Sequence, residues 1–408
     1  MREFQIKKDL HEWGCNIRGD ILGGMVSAFS VIPEVIGFTI VAGVDPVLGL
    51  MTSVVFLIVL SFLGGRPAMV SAGAGSMAVV VVSLIRNFGT QYLFAAVILA
   101  GFIQLILSLC RVDRLMKYVS APVVTGFVDA LAIIICKAQI TSLLQNMGDT
   151  TSGSIKTVLL VIIGLSAIIL FPRITKAVPS TLISIIVVTG VSLLFLLITG
   201  SNQDITMIAD MGDLHFRWNG LHIPNVPMSF ETLRIVFPYG ISLAFVGLLE
   251  TMMTNQVVDK MTGTTGNKKR ECCAQGLGNL LCGLFGAMPG CAMIGQAIAN
   301  VESGGRGRLS TLVSGILLLC LLIFGSAILG KIPLAALISV MLFVSWSTFD
   351  WKNLKKLITS RDRITMRDGF VTLITVVVTV STDNLAYGVG AGLVAATVLG
   401  KILRPKET

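Results

Sequence analysis

The stretch VFPYGISLAFVGLLETMMTNQVV, residues 236–258, is long and apolar enough to cross a bilayer, yet it carries Glu250 in its interior. An ionised carboxylate at mid-bilayer costs about 2.5 to 3.5 kcal/mol on insertion scales and usually serves function. Forty residues on, AMPGCAM at 287–293 restarts apolar sequence abruptly after Pro289 and Gly290. A charged residue facing a broken helix near the midplane is the arrangement from which secondary transporters build a substrate site.

The rest of the chain fits that setting. Its 408 residues are 54% hydrophobic and 13% charged, with mean hydropathy +0.86. Soluble domains average about 25% charged residues, so this composition specifies an all-α polytopic membrane protein. Met1 to Asp20 is polar and basic, through Arg2, Lys7, Lys8 and Arg18, and runs directly into a full-length span rather than into a signal-peptide core.

Hydropathy places fourteen segments near 21–41, 47–63, 75–86, 92–110, 121–143, 156–171, 180–199, 235–258, 271–286, 291–300, 309–329, 332–347, 365–381 and 384–402. With the N-terminus inside, most of the 31 Lys and Arg residues fall on the cytoplasmic side, among them Arg111, Arg114, Lys117, Lys268, Lys269, Arg270, Arg306, Arg308 and the cluster Lys352 to Arg367. The net charge of +9 is therefore a topology signal and does not call for nucleic acid. The expectation is a multi-pass protein in lipid, of the plasma membrane (the bacterial inner membrane), with both termini cytoplasmic.

The eight cysteines include no CxxC pair, and His11, His215 and His222 all lie outside the expected spans. With no nucleophile–base pair or metal spacing in the spans, an enzyme is the least favoured class, and no organic cofactor is expected.

Segments 75–86 and 291–300 are too short, because a full crossing needs about 20 residues. Short helices are tolerated at membrane depth where their irregular lead-ins are buried in protein or line a cavity. Both lead-ins suit this: Ser71-Ala72-Gly73-Ala74-Gly75-Ser76 and Met288-Pro289-Gly290-Cys291-Ala292. Glu34 to Gly75 spans 41 residues and Glu250 to Gly290 spans 40, which predicts a seven-plus-seven inverted repeat with spans 3 and 10 meeting as half-helices near the midplane.

At these residues the sequence resembles the SulP family of anion permeases, most closely the bacterial branch that includes sodium-dependent bicarbonate transporters. The matching segments are IRGDILGGMVSAFSVIPEVIGFTIVAGVDPVLGL (17–50), GGRPAMVSAGAGSMAVVVV (64–82), VGLLETMMTNQVVDKMTG (246–263) and AMPGCAMIGQAIANVESGGRGRLSTLVSG (287–315). Pro46-Val47-Leu48-Gly49-Leu50-Met51 departs from the tyrosine-rich turn common in the family. Such proteins generally continue into a cytoplasmic STAS domain, whereas this sequence ends at Thr408, so it reads as the transmembrane domain without one.

The resemblance implies a core domain moving against a gate domain in an elevator-like or rocking cycle. Its parts would be a cytoplasmic segment 1–20, core 21–110 (spans 1–4), gate 111–199 (spans 5–7), an extracellular linker 200–234, core 235–330 (spans 8–11) and gate 331–408 (spans 12–14). It also implies a possible homodimer.

Cationic side chains are almost absent from the spans, Lys137 being the main exception. Helices starting near Gly75 and Ala292 would instead offer unpaired N–H groups and about half a positive charge each. The amides of Ser76, Met77, Ala292 and Met293 and the hydroxyl of Ser76 are thus candidate donors to a small inorganic oxyanion; tight helix packing is the competing explanation for the small residues there. Glu250 and Thr254, four apart on one helix face, suggest a Na⁺ site completed by backbone carbonyls such as that of Ala292, or a protonatable carboxyl. In the bicarbonate-transporting relatives an acidic residue and a threonine so spaced are Na⁺ ligands. Glu34 and Phe38 are further candidates for the substrate cavity, and Gln296 and Asn255 for support of the site. Asp129, Lys137 and Gln139 in the fifth span read as packing or ion-pair residues.

The expected function is Na⁺-coupled bicarbonate symport. H⁺-coupled sulfate or dicarboxylate symport is the first alternative, then a nucleobase permease or an anion channel.

Overall fold

The computed structural model describes residues 12–110, 120–146, 151–174, 179–199, 205–211, 220–221, 223–359, 363–382 and 385–402. His11, His215, His222, Arg111, Arg114, Lys117 and part of the 200–234 linker lie outside the described residues. A helix occupies every one of the fourteen segments expected from hydropathy. They are α1 (Ile17–Ala42), α2 (Pro46–Leu63), α3 (Gly75–Phe88), α4 (Thr90–Leu109), α5 (Ala121–Gln145), α6 (Thr151–Leu170), α7 (Ser180–Thr199), α8 (Phe230–Thr262), α9 (Lys268–Leu284), α10 (Ile294–Glu302), α11 (Arg308–Phe324), α12 (Leu334–Thr348), α13 (Arg363–Thr382) and α14 (Leu385–Ile402). Among the described residues, seven of these are long and apolar enough by themselves to cross a membrane, and α12 with the helix after it makes an eighth if counted as one bent span.

Local chemistry sets the ends. Asn16 caps α1 by accepting the N–H of Gly19 at 3.4 Å, and the helix stops at Gly43, whose φ of 78° ends it in the left-handed region. Ser229 caps α8 on Thr232 N–H at 3.2 Å, and Asn267 caps α9 on Arg270 N–H at 3.0 Å. At 33 residues α8 is about 50 Å long, more than the roughly 30 Å hydrocarbon core requires.

The first and second lead-ins form the one piece of sheet among the described residues. Strand β1 (Ser71–Gly73) pairs antiparallel with β2 (Gly290–Ala292), in the register Ser71 with Ala292, Ala72 with Cys291 and Gly73 with Gly290. The irregular backbone at each break is thereby satisfied by the other, which lipid would not do. Each half-helix begins directly after its strand.

One face of α9 holds this pair in place. Glu271, Gln275 and Asn279 stand four residues apart, so they form a single polar stripe. Glu271 accepts the N–H groups of Gly65 at 2.7 Å and Arg66 at 3.0 Å, Gln275 donates to Ser71 Oγ at 2.8 Å, and Asn279 both accepts the N–H of Gly290 at 3.0 Å and donates to its carbonyl at 3.1 Å. On the opposite side Thr52 of α2 donates to the Met288 carbonyl at 2.7 Å.

The stripe reaches the strands because α9 lies close against α4. A Cβ on Gly101 would come within 2.7 Å of the Gly276 carbonyl, so small residues are what allow the two backbones to approach. α4 also packs on α8, and α11 on α1 and α2. Elsewhere α5 packs on α12, α13 and α14, α6 on α7, and α12 on α6 and α7. Within the linker, Met207 bridges Pro333 and the N–H of Ile208 donates to Ile332 at 3.0 Å, which ties residues before α8 to the start of α12.

Candidate anion and cation site

α3 starts with Ala74 as its capping residue, and the first helical bond is from Ala78 N–H to Ala74 at 3.0 Å. The amides of Gly75, Ser76 and Met77 therefore have no acceptor inside the helix. Phe38, on α1, lies over this end: a Cβ on Gly75 would sit 2.5 Å from its ring. The glycine is what lets the aromatic ring close on the backbone. The Met77 side chain turns away, and its methyl packs on Gly247 of α8.

Glu250 comes to this point from α8. Its Oε2 accepts a hydrogen bond from Ser76 Oγ and another from Cys291 Sγ at 3.1 Å. Thr254, one turn on, donates to the Glu250 carbonyl at 2.9 Å and approaches the Ala292 carbonyl at 3.4 Å. The hydroxyl of Thr254 and the carbonyl of Ala292 are thus neighbours.

The second half-helix starts two residues later than the sequence suggested. Met293 is the capping residue of α10, and Ala297 N–H makes its first bond, to Met293, at 3.1 Å. The amides expected to face the anion are already used: Ala292 N–H points to Thr251 Oγ1 at 3.4 Å, and Met293 N–H donates to Val70 at 2.9 Å. Strand pairing carries the chain past Ala292 before the helix begins. The free first-turn amides are those of Ile294, Gly295 and Gln296.

The two candidate supporting residues lie in different surroundings. Gln296, a candidate support of the site, interacts with Glu34 on α1, and its Nε2 lacks a hydrogen bond of normal geometry. Asn255 is fully buried but lies away from Glu250, because five residues rotate a helix by about 140° from the starting face. Its amide reaches Asp259 at 3.2 Å, joining a cluster in which Asp259 pairs with Arg66 at 3.3 Å and Arg66 also donates to Thr264 at 2.9 Å. Burial holds the Arg66 guanidinium below its usual pKa, with Asp259 opposing the shift.

Glu34, Phe38, Ser76, Met77, Thr254, Ala292, Met293 and Gln296 are all buried. Cys291 and Thr251 are members of the site that sequence reasoning left out. The position of the cysteine opposite Ala72 in the strand pair is what aims its thiol at Glu250. Asp129, read as a packing or ion-pair residue, accepts the N–H of Asp350 at 2.8 Å.

Half-helices joined across the two parts of a polytopic chain, with the partly buried carboxylate of Glu250 at the junction, define a membrane transporter rather than an enzyme. Residues 17–375 match the Sulfate permease family, and the chain belongs to it. YbaR of Bacillus subtilis, provisionally named a sulfate transporter, is 46% identical over 387 residues, which cover 95% of this chain and 77% of that protein. The bicarbonate transporter BicA of Picosynechococcus sp. is 27% identical over 409 residues, covering 94% of this chain and 70% of the relative. The transmembrane domain of a cyanobacterial BicA has the same fold, with a TM-score of 0.76 at 24% identity, covering 93% of this chain and 97% of that one.

Proposed function

We propose that this anion transporter is a symporter that moves a small inorganic oxyanion with a cation, bicarbonate with Na⁺ being the first pairing. The observation that carries the reading is the neutrality of everything bonded to Glu250: its partners are a hydroxyl and a thiol. Two helix N-termini offer about one positive charge between them, which suits a monovalent anion. Glu250 would cancel that charge unless a cation accompanied it. Glu250, the Thr254 hydroxyl and the Ala292 carbonyl are the oxygen donors for Na⁺, and the first turns of α3 and α10 are the donors for the anion. Glu34 and Phe38 border the same space.

A second reading, H⁺-coupled sulfate or dicarboxylate symport, has its own support. Both donors to Glu250 converge on one oxygen, Oε2, leaving Oε1 as the position for a transported proton. The higher identity to YbaR also favours sulfate.

In either case the cycle would carry α1–α4 and α8–α11 as a core past α5–α7 and α12–α14, in an inner membrane with both termini cytoplasmic. The deciding experiment is uptake of labelled bicarbonate, sulfate and fumarate into proteoliposomes under imposed Na⁺ or pH gradients. Bicarbonate accumulation driven by inward Na⁺ is the expected result. Sulfate accumulation driven by protons selects the second reading, and no accumulation under either gradient removes both.

A further inference from the structure

The helix Trp351–Thr359, WKNLKKLIT, lies between α12 and α13 and contributes nothing to the site around Glu250. It departs from α12 at 42°. The break is firmly held. Asp129 of α5 accepts the N–H of Asp350 at 2.8 Å, and the Asp350 carboxylate in turn accepts the N–H of Asn353 at 3.0 Å, so the helix starts from a point anchored in the bundle. Trp351 donates its indole N–H to the Trp346 carbonyl at 3.0 Å, and its ring centre lies 4.3 Å from that of Trp346 and 4.7 Å from that of Phe349.

At helical pitch, Lys352, Lys355 and Lys356 share one side of this element, while Trp351, Leu354 and Leu357 share the other. Leu357 packs inward, against Gly369 of α13. The three lysines are exposed, and Trp346, Trp351 and Leu354 leave 63%, 44% and 37% of their surface uncovered. Bare indole rings beside ammonium groups suit neither water nor hydrocarbon alone. They suit the headgroup region, where tryptophan sits at the level of the glycerol and lysine stems lie along apolar surface with the charge reaching outward. The positive-inside orientation read from the sequence puts the same helix at the cytoplasmic leaflet, the side on which juxtamembrane lysines meet anionic lipid.

We propose that this helix binds an anionic phospholipid headgroup. Lys352, Lys355 and Lys356 meet the phosphate, and the Trp346–Trp351 pair packs on the upper part of the acyl chains. Because Asp129 ties the helix start to α5, a lipid held there braces the connection between α12 and α13.

The test uses the full chain in nanodiscs containing phosphatidylglycerol or phosphatidylcholine brominated on the upper acyl chain, with tryptophan fluorescence as the readout. Each lysine near an anionic surface is worth about fivefold in affinity. Brominated phosphatidylglycerol should therefore quench at about a tenth of the mole fraction that phosphatidylcholine needs, allowing for partial engagement of the three. The preference should vanish in K352Q/K355Q/K356Q, weaken in K356Q alone and persist in K331Q; in W346F/W351F the phosphatidylglycerol-selective part of the quenching should be lost, leaving only that of Trp13 and Trp218. Equal quenching of the unmodified protein by both lipids, or a preference retained by the triple variant, overturns the proposal. No transport is measured, so either result is independent of the anion and cation reading above.

Discussion

At the start of α3, Ser76 donates to Glu250 from the other half of the chain, and Cys291 adds a second donor to the same oxygen at 3.1 Å. At the start of α10, Gln296 faces Glu34, again from the other half, but its Nε2 makes no hydrogen bond of normal geometry. Each half-helix thus meets the carboxylate of the opposite half, and the two are held with different firmness. A carboxylate fixed by two donors suits a preorganised cation site. On the proposed reading, one that keeps its amide neighbour loosely would be able to re-form its contacts around a substrate.

Replacing the firmly held member should have the largest effect. Glu250→Gln removes a charge-assisted interaction worth about 1.5–3 kcal/mol, so gradient-driven uptake should fall by about a hundredfold while size-exclusion chromatography shows folded protein. Unchanged cation dependence in that variant would break the comparison.

Next comes the support beneath both half-helices. Asn279→Ala leaves the N–H and carbonyl of Gly290 buried without partners, at a cost of about 1–3 kcal/mol, and should lower the thermal midpoint of the purified protein. Uptake per folded molecule should drop with it, for either anion.

Gly75→Ala tests the α3 end alone. The new methyl would collide with Phe38 at 2.5 Å, and overpacking of this kind costs about 1–3 kcal/mol. Uptake should fall about tenfold and recover in part when Phe38→Leu is added, a pattern that simple loss of fold would not give.

The loosely held carboxylate should matter less. Glu34→Gln is expected to raise the KM for the anion about fivefold, the scale of one hydrogen bond, with the dependence on Na⁺ or H⁺ unchanged. A larger effect than that of Glu250→Gln would invert the assignment. The smallest change is expected from Cys291→Ser, which exchanges one donor for another and should alter uptake by about twofold or less.

Much of this arrangement can be read from the chain. Glu250 and Thr254 stand out because charge in an apolar helix is costly, and Pro289-Gly290 marks the second break by chemistry alone. Other parts are not local properties. Strand pairing of three residues with three across the length of the molecule leaves no periodic signal, so the shift of the α10 start from Ala292 to Ile294 and the aim of Cys291 were hidden. Asn255 is polar and near Glu250 in sequence, but the rotation of α8 carries it to another face.

The pairing of β1 with β2 has a consequence for how the protein is made. When Ser71 to Gly73 leave the ribosome, their partners at Gly290 to Ala292 are more than two hundred residues from being translated. At roughly 5–20 residues per second, the first half-helix must be inserted and kept for about 10 to 40 seconds with its backbone unpaired. A first half made alone should therefore be short-lived, and supplying the second half in trans should lengthen its lifetime in a pulse-chase measurement.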